Sequence, residues 1–368
     1  MNESSAIRQP PWQEGPVLGI ESSCDETAAA VVGCDGSVLS SIVSSQHEVH
    51  KRFGGVVPEL ASRAHVETIE PVVMAALAEA GLSWKELAGI AVTCGPGLAG
   101  ALIVGVSYAK TLAYGLEIPI VGISHLEGHI ESAWLQDPSF PLPCVVMIVS
   151  GGHTHLYLRR ADRSCIFLGS TRDDAAGEAF DKGAQMLGLG FPGGPALDRL
   201  AQKGDPRCFK FPSASFKHGK LEFSFSGLKT SLLYKLQDMD EESVARHKAD
   251  LAAGYQEAIV TDLVRKGLQA VKQTGVKNLA VVGGVSANSR LRTILQEKTE
   301  TLGIRLSIPP LRYCTDNAAM IAAAGVEALR AGYIFGLDAE STPRLEPIVF
   351  QRDRSWHVVP LEKESSYS

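Results

Sequence analysis

The sequence predicts two similar α/β lobes in one chain, and three observations carry that prediction. The 368 residues are about twice the ordinary length of one domain. Three short strands, followed by alternating helices and strands, fill the first half, and the same order begins again after a proline-rich break at Asp137-Pro138-Ser139-Phe140-Pro141-Leu142-Pro143. Hydrophobic residues at 45%, charged residues at 21% and a mean hydropathy of +0.05 describe a folded chain and exclude disorder and collagen-like repeats.

After a polar leader, Met1 to Pro16, the apolar runs Val17 to Ile20 and Ala28 to Val32 read as strands around a polar loop. Cys34-Asp35-Gly36 is a turn into a third strand near Val38 to Val43. Apolar periodicity then predicts a helix over 58–80, a strand over 88–93, a helix after Gly97, a strand over 118–123 and a helix from His125 to about Leu135. Beyond the break come strands at 144–149, 154–158 and 165–168, then helices alternating with strands at 278–282 and 304–308, and a last long helix from about Asp316 to Arg330. The expected organisation is a leader over 1–16, a first lobe over 17–137, a second over 144–350 carrying an insertion at about 192–240, and a tail over 351–368. Ligands are expected where the Gly-rich loops at the strand ends converge, in a cleft between the lobes.

The formal charge of −6 gives the whole chain no electrostatic claim on nucleic acid or an anionic membrane. The seven cysteines are scattered and never form a C-x-x-C pair, which argues against a disulfide framework or a zinc knuckle and for a reducing, cytoplasmic setting. No signal core precedes Val17, and the apolar run Cys144 to Val149 is far too short to span a bilayer. No membrane association is expected.

The sharpest local feature is Ser124-His125-Leu126-Glu127-Gly128-His129. Histidines at i and i+4 share one face of a helix, so both imidazoles can reach one metal ion. Glu127 is offset by about 200° from His125. It is expected to reach back to Ser124 in a capping box. A zincin protease needs H-E-x-x-H, whose Glu acts as base, and this chain has H-x-E-x-H. Asp316 can supply a third ligand, although its place before an Ala-rich helix suits an N-cap even better. Ser150-Gly151-Gly152 follows an apolar strand, so its amides can surround an anionic or carbonyl group. His153 and His155 are expected to face opposite sides of a strand and not to share a metal. The acidic stretch from Asp173 is expected to complement the dipole of the helix it opens, whereas Asp181, further in, can hold a substrate hydroxyl or amine.

Between Arg199 and Lys235 eight Lys or Arg face two acids, a local net +6 in a chain of −6. Phe209, Phe211, Phe216, Phe223, Phe225 and Tyr234 are interleaved with those bases. That composition suits phosphate neutralisation and base stacking, against the alternative of a solvated face with phenylalanine anchors.

Five motifs resemble one family. Gly19-Ile20-Glu21-Ser22-Ser23-Cys24-Asp25-Glu26-Thr27, His125-Leu126-Glu127-Gly128-His129, Val149-Ser150-Gly151-Gly152-His153-Thr154, Gly177-Glu178-Ala179-Phe180-Asp181-Lys182 and Gly283-Gly284-Val285-Ser286-Ala287-Asn288 occur in the order of the TsaD-type tRNA threonylcarbamoyladenosine transferases. The resemblance runs from about Val17 to Arg330, and Phe223 to Lys229 looks like the bacterial branch. It implies the duplicated actin-like and Hsp70-like (ASKHA, ribonuclease H-like) architecture. It implies transfer of the threonylcarbamoyl group from threonylcarbamoyl-AMP to N6 of adenosine 37, in tRNAs reading codons that begin with A.

By motif, the resemblance implies that His125, His129 and Asp316 bind one divalent metal per subunit, iron or zinc. It implies that Ile148, Val149, Ser150, Gly151, Gly152, Asp181, Gly194 and Asn288 hold the adenylate. TsaB, docking on the first lobe, and TsaE are the implied protein partners. The insertion then offers Lys210, Lys217, Lys220 and Phe216 as contacts to an anticodon loop. No residue is assigned as the base that takes the N6 proton; Asp25 and Glu26 are candidates by their place in the first loop. Competing readings are an ASKHA-fold kinase of a small metabolite, which has no need of a histidine pair, a metalloprotease, and a non-catalytic scaffold of a tRNA-modifying complex.

Overall fold

The computed structural model describes residues 9–212 and 220–343. The leader before Gln9, the tail over 351–368, and Phe216 and Lys217 of the insertion lie outside the described residues. The described chain divides into two compact units, the first drawn from residues 9–50, 56–138 and 316–343, the second from 51–55, 139–212 and 220–315.

The first unit holds β1 (Val17–Glu21), β2 (Glu26–Val32), β3 (Val38–Ser45), α1 (His47–Lys51), α2 (Pro58–Ala80), β4 (Gly89–Gly95), α3 (Ala99–Leu116), β5 (Ile120–Ser124) and α4 (His125–Glu131). Its sheet runs β3-β2-β1-β4-β5, antiparallel across the first three strands and parallel from β1 through β4 to β5. β1 is central and all five of its residues are buried, hence its unbroken apolar run up to Glu21. The connection from β4 to β5 passes through α3, which is long and apolar enough by composition to cross a membrane. Ala101, Leu102, Val106, Ala109 and Ala113 form its buried stripe, so α3 reads as the core helix of a parallel crossover. The helix expected to reach Leu135 stops at Glu131 and continues as a 3-10 turn over Ser132–Trp134.

The second unit repeats this plan with β6 (Cys144–Val149), β7 (Thr154–Arg159), β8 (Cys165–Ser170), α5 (Ala176–Met186), α6 (Gly193–Ala201), α7 (Ser226–Gln237), α8 (Glu241–Thr274), β9 (Asn278–Val282), α9 (Ser289–Leu302) and β10 (Arg305–Ser307). Its sheet order, β10-β9-β6-β7-β8, is the first one read from the other edge, with the same pattern of parallel and antiparallel pairs. The duplication read from element order is therefore a duplication of topology.

The insertion folds largely as core. Phe223 and Phe225 are buried and stack 6.0 Å apart, Phe211 packs edge-on to buried Tyr255, and Phe209 packs edge-on to His247. Among the described aromatics of the insertion only Tyr234 is well exposed. The base-stacking surface expected there is corrected accordingly: these phenylalanines anchor the segment. Asp173 is also corrected. It lies before α5 and caps α7, its carboxylate accepting from the Phe225 and Ser226 amides at 2.8 and 3.2 Å. Asp174 pairs with Lys182 at 2.7 Å.

The last helix, α10 (Ala318–Arg330), packs with the first unit, although its position in the chain suggested the second lobe. Its buried face (Met320, Ile321, Ala322, Ala324, Val326, Ala328 and Leu329) joins Val17, Val32, Ala91, Val121 and Ile123 in one core. The approach is backbone to backbone at Gly19, where an added Cβ would sit 2.4 Å from the Ala318 carbonyl oxygen and 2.7 Å from the Ala322 nitrogen. Helix and strand can meet this closely only without a side chain there. Gly19→Ala is therefore expected to cost about 1–3 kcal/mol in urea denaturation. Gly284→Ala, where an added Cβ meets nothing within 4 Å, should cost far less.

Candidate metal centre

Three side chains of the first unit converge where β5 ends and α10 begins. Ser124 closes β5, and α4 starts at once with His125, placing His125 and His129 one turn apart on one face. Their rings lie 4.6 Å apart at 78°. Asp316 reaches both: its Oδ1 is 3.4 Å from His125 Nε2 and 3.3 Å from His129 Nε2. The N-cap of α10 is Asn317, whose side chain accepts from the Met320 amide at 3.0 Å, so the capping role expected for Asp316 falls to its neighbour. The capping box expected of Ser124 and Glu127 is not formed, since the Ser124 side chain makes no cap hydrogen bond.

The donor set fits a divalent metal. Ligands about 2.1 Å from a tetrahedral ion stand roughly 3.4 Å from one another, and the two measured separations match that spacing. His129 is fully buried and neither ring nitrogen makes a hydrogen bond, a costly state for an imidazole whose Nε2 does not ligate anything. Burial opposes charge on Asp316, yet His125 and His129 hold its carboxyl well below the usual range. Burial likewise opposes a charge on His125, but Asp316 and Glu21 raise it well above the ordinary value. Burial depresses His129. The carboxylates thus favour a positive charge between them, carried by the His125 imidazolium or by a cation in its place.

Glu21, His47 and His65, to which sequence reasoning gave no role, join the candidates Asp25 and Glu26 in the first unit. Glu21, at the buried end of β1, accepts at Oε2 from Thr93 Oγ1 at 2.7 Å and lies 3.0 Å from His125 Nδ1. The signal available was a carboxylate closing an otherwise apolar strand. The loop that follows carries Asp25 and Glu26, with His47 Nε2 at 3.4 Å from Glu26 and 3.9 Å from Asp25. Burial pushes Glu26 up to about 8, against the pull of the His47 hydrogen bond. Burial and the adjacent Asp25 push the Cys24 thiol up, so Cys24 is no thiolate nucleophile. Buried His65 ties the loop down, bonding the Cys24 carbonyl through Nε2 at 3.0 Å and the Thr27 hydroxyl through Nδ1 at 2.8 Å. The carbonyl can only accept, so Nε2 carries the proton and Nδ1 accepts from Thr27.

The second unit holds the remaining site candidates. Ile148 and Val149 are buried core residues of β6. Ile148 is in register with His155 on one side and Val282 on the other, so its main chain serves the sheet. The Ser150 amide is spent on the His153 carbonyl at 2.8 Å and the Ser150 carbonyl on the Gly177 amide at 3.1 Å. The expectation that all three amides of Ser150-Gly151-Gly152 face a ligand therefore narrows to Gly151 and Gly152, which are exposed and open. Gly283, at φ 93°, passes so close to Val149 that a Cβ would stand 2.5 Å from its carbonyl oxygen. Asp181 Oδ1 accepts from the Gly193 and Gly194 amides at 2.9 and 3.1 Å, at the start of α6. Asn288 caps α9 at Leu291 and donates to Gln256 at 2.7 Å. The rings of His153 and His155 are 5.4 Å apart, which corrects the expectation of opposite faces, because residues two apart on a strand share a face. Lys210 and Lys220 are exposed.

Comparison with known proteins supplies the identity that geometry alone does not. The family TsaD, tRNA N6-adenosine threonylcarbamoyltransferase, matches residues 37–323. The tRNA N6-adenosine threonylcarbamoyltransferase of Syntrophobacter fumaroxidans is 52% identical over 334 residues, covering 88% of this chain and 98% of its own. That of Anaeromyxobacter dehalogenans is 52% identical over 329 residues, covering 89% and 98%. Among solved structures, the HypF of T. kodakarensis aligns over 88% of this chain and 49% of its own, with a TM-score of 0.58 at 14% identity. That likeness speaks to fold alone, and the fold is the duplicated actin-like ASKHA architecture that the two repeated sheets display. With most of its length matched, the chain belongs to the TsaD family of tRNA N6-adenosine threonylcarbamoyltransferases.

Proposed function

We propose that this chain transfers the threonylcarbamoyl group from threonylcarbamoyl-AMP to N6 of adenosine 37 in tRNAs reading codons that begin with A. The family match carries the reaction class, and the convergence of His125, His129 and Asp316 is the single structural observation that supports it. His125, His129 and Asp316 hold the metal, with Fe2+ or Zn2+ as the fitting ions, since two imidazoles and one carboxylate leave an open position on either. A divalent ion there supplies Lewis-acid character and an anchor for a carboxylate or carbonyl oxygen of the threonylcarbamoyl group.

The chain's own residues do the rest. The N6 amine of adenine attacks the carbamoyl carbon, the bond from that carbon to the AMP oxygen breaks, and one N6 proton must leave. Glu26 suits that proton: a carboxylate raised to about 8 is a far stronger base than an exposed one. The Gly151 and Gly152 amides are free to face the developing negative charge. Gly194 and Asn288 remain candidate contacts to the adenylate, and Asp181 holds the α6 turn on which Gly194 sits. Lys210, Lys217 and Lys220 are the proposed phosphate contacts, with TsaB and TsaE as protein partners and the reducing cytoplasm as setting, in keeping with seven free cysteines. A kinase has no need of a histidine pair, and the protease lacks its H-E-x-x-H base.

Three measurements test this reading. With synthetic threonylcarbamoyl-AMP, unmodified tRNA and the partner proteins, the wild type is expected to form modified tRNA. His125→Ala and Asp316→Ala should lose at least about 100-fold while keeping the wild-type circular dichroism spectrum. His129→Leu should abolish binding of Zn2+ by the metal-free protein yet leave its melting temperature unchanged or higher, because a buried imidazole without hydrogen bonds is replaced by an apolar group.

The third concerns Glu26. Its folded value lies above the ordinary 4.5, so its ionisation opposes folding and the wild type loses stability as pH rises from about 4.5 to about 8. Glu26→Gln should therefore raise the melting temperature more at pH 8 than at pH 5. Its transfer rate should also lack the wild-type rise with pH on approaching 8.

A further inference from the structure

The metal-centre reading explains three ligands but leaves a fourth buried group, Glu21, without a role. Its carboxylate is 1% exposed and is held at both oxygens. Oε2 accepts from Thr93 Oγ1 at 2.7 Å, and Oε1 accepts from the Ser23 amide. Thr93 is placed to do this because β1 and β4 run parallel in register, Ile20 against Val92, so the next residue of each strand is also adjacent. Pinned in this way, Glu21 presents Oε2 to His125 Nδ1 at 3.0 Å. The opposite ring nitrogen, Nε2, is the one that faces Asp316.

We propose that Glu21 is a positioning residue of the metal centre: by accepting the Nδ1 proton of His125 it fixes that ring's tautomer and orientation, so that Nε2 is presented beside His129 Nε2 and Asp316 Oδ1. This rests on the metal-site reading and adds a residue to it. An ionised carboxylate can only accept, so the Nδ1–H of a neutral His125 is directed at it and Nε2 is left with its lone pair outward. A negative partner also makes the imidazole a stronger donor to a cation, the usual arrangement behind a metal-bound histidine. The Ser23 hydroxyl, 3.2 Å from the same nitrogen, can donate as well as accept and so cannot set the tautomer by itself. His129 has no such partner on Nδ1, which makes His125 the ligand whose geometry is enforced.

The geometry also links the centre to the loop of Asp25 and Glu26. Glu21 ends β1, the Ser23 amide that grips it lies two residues on, and the loop begins there. The carboxylate that orients a ligand therefore also holds the base of that loop.

The test uses the full-length metal-free protein titrated with Co2+, read by the visible d–d bands, and with Zn2+ in competition. Wild type, Glu21→Gln, Thr93→Val and His125→Ala are compared. Glu21→Gln preserves shape but removes the charge, and it is expected to weaken metal affinity about 10- to 100-fold and to shift the Co2+ bands, with no loss of melting temperature in the metal-free state. Thr93→Val, which frees one oxygen of Glu21, should weaken affinity by a smaller factor. A merely structural Glu21 would lower the melting temperature and leave the Co2+ bands where they are. Wild-type affinity and bands in Glu21→Gln would overturn the inference. Wild-type affinity in His125→Ala would instead overturn the metal site itself. Should Glu21→Gln fail to fold, Thr93→Val decides: weakened binding with altered bands supports the role, and unchanged binding removes it.

Discussion

The first unit is organised around the need to neutralise charge inside a protein. Glu21, a buried carboxylate, and Asp316, a partly buried one, bracket one imidazole, His125. A buried carboxylate costs several kcal/mol unless a cation or several donors face it. Here the compensation comes from two sides: hydroxyl and amide donors fix Glu21, while Asp316 has the two histidine rings. A bound cation satisfies the same demand, which is why a centre of this kind is stable to assemble and sensitive to the loss of any one member.

Placement of those groups depends on where the chain returns. The polypeptide leaves the first unit after β5 and α4, builds nearly all of the second unit, and comes back as α10. Only the side-chain-free surface at Gly19 lets that helix lie against β1 closely enough to set Asp316 beside the His pair. Asn317 takes the capping task and leaves the Asp316 carboxylate available. A glycine and a distant Asp-Asn pair thus share one job.

The same economy runs through the second unit. Its Gly-rich turns are less open than their composition suggests, because most of their polar groups already hold the turn together. The Ser150 amide closes its own loop, Asp181 fixes the first turn of α6, and Asn288 caps α9 while it donates to Gln256. What stays open is backbone: the Gly151 and Gly152 amides, with no side chain to crowd a ligand. In the insertion, likewise, aromatic residues spaced among lysines went to the core at Phe223 and Phe225 because burying a phenylalanine in its own unit gains more than exposing it for a partner.

Much of this was legible in the sequence for local reasons. Strand and helix order, the duplication, and the pairing of His125 with His129 follow from periodicities that need only neighbouring residues. The five motifs were enough to point to the family. The sequence could not decide what a polar residue does when several roles share one chemistry. Asp316 suited a cap as well as a ligand, Ser124 and Glu127 suited a capping box that did not form, and Asp173 caps a helix some fifty residues away rather than its own. Nor could it show that Glu21 stands behind His125, since the two are 104 residues apart and meet only because β1 and β5 flank β4 in one sheet. Local patterning determined the elements and the half-site. Tertiary structure decided which carboxylate meets the histidine pair, what stands behind His125 and which residues cap the helices, because each depends on long-range contacts that sequence spacing does not encode.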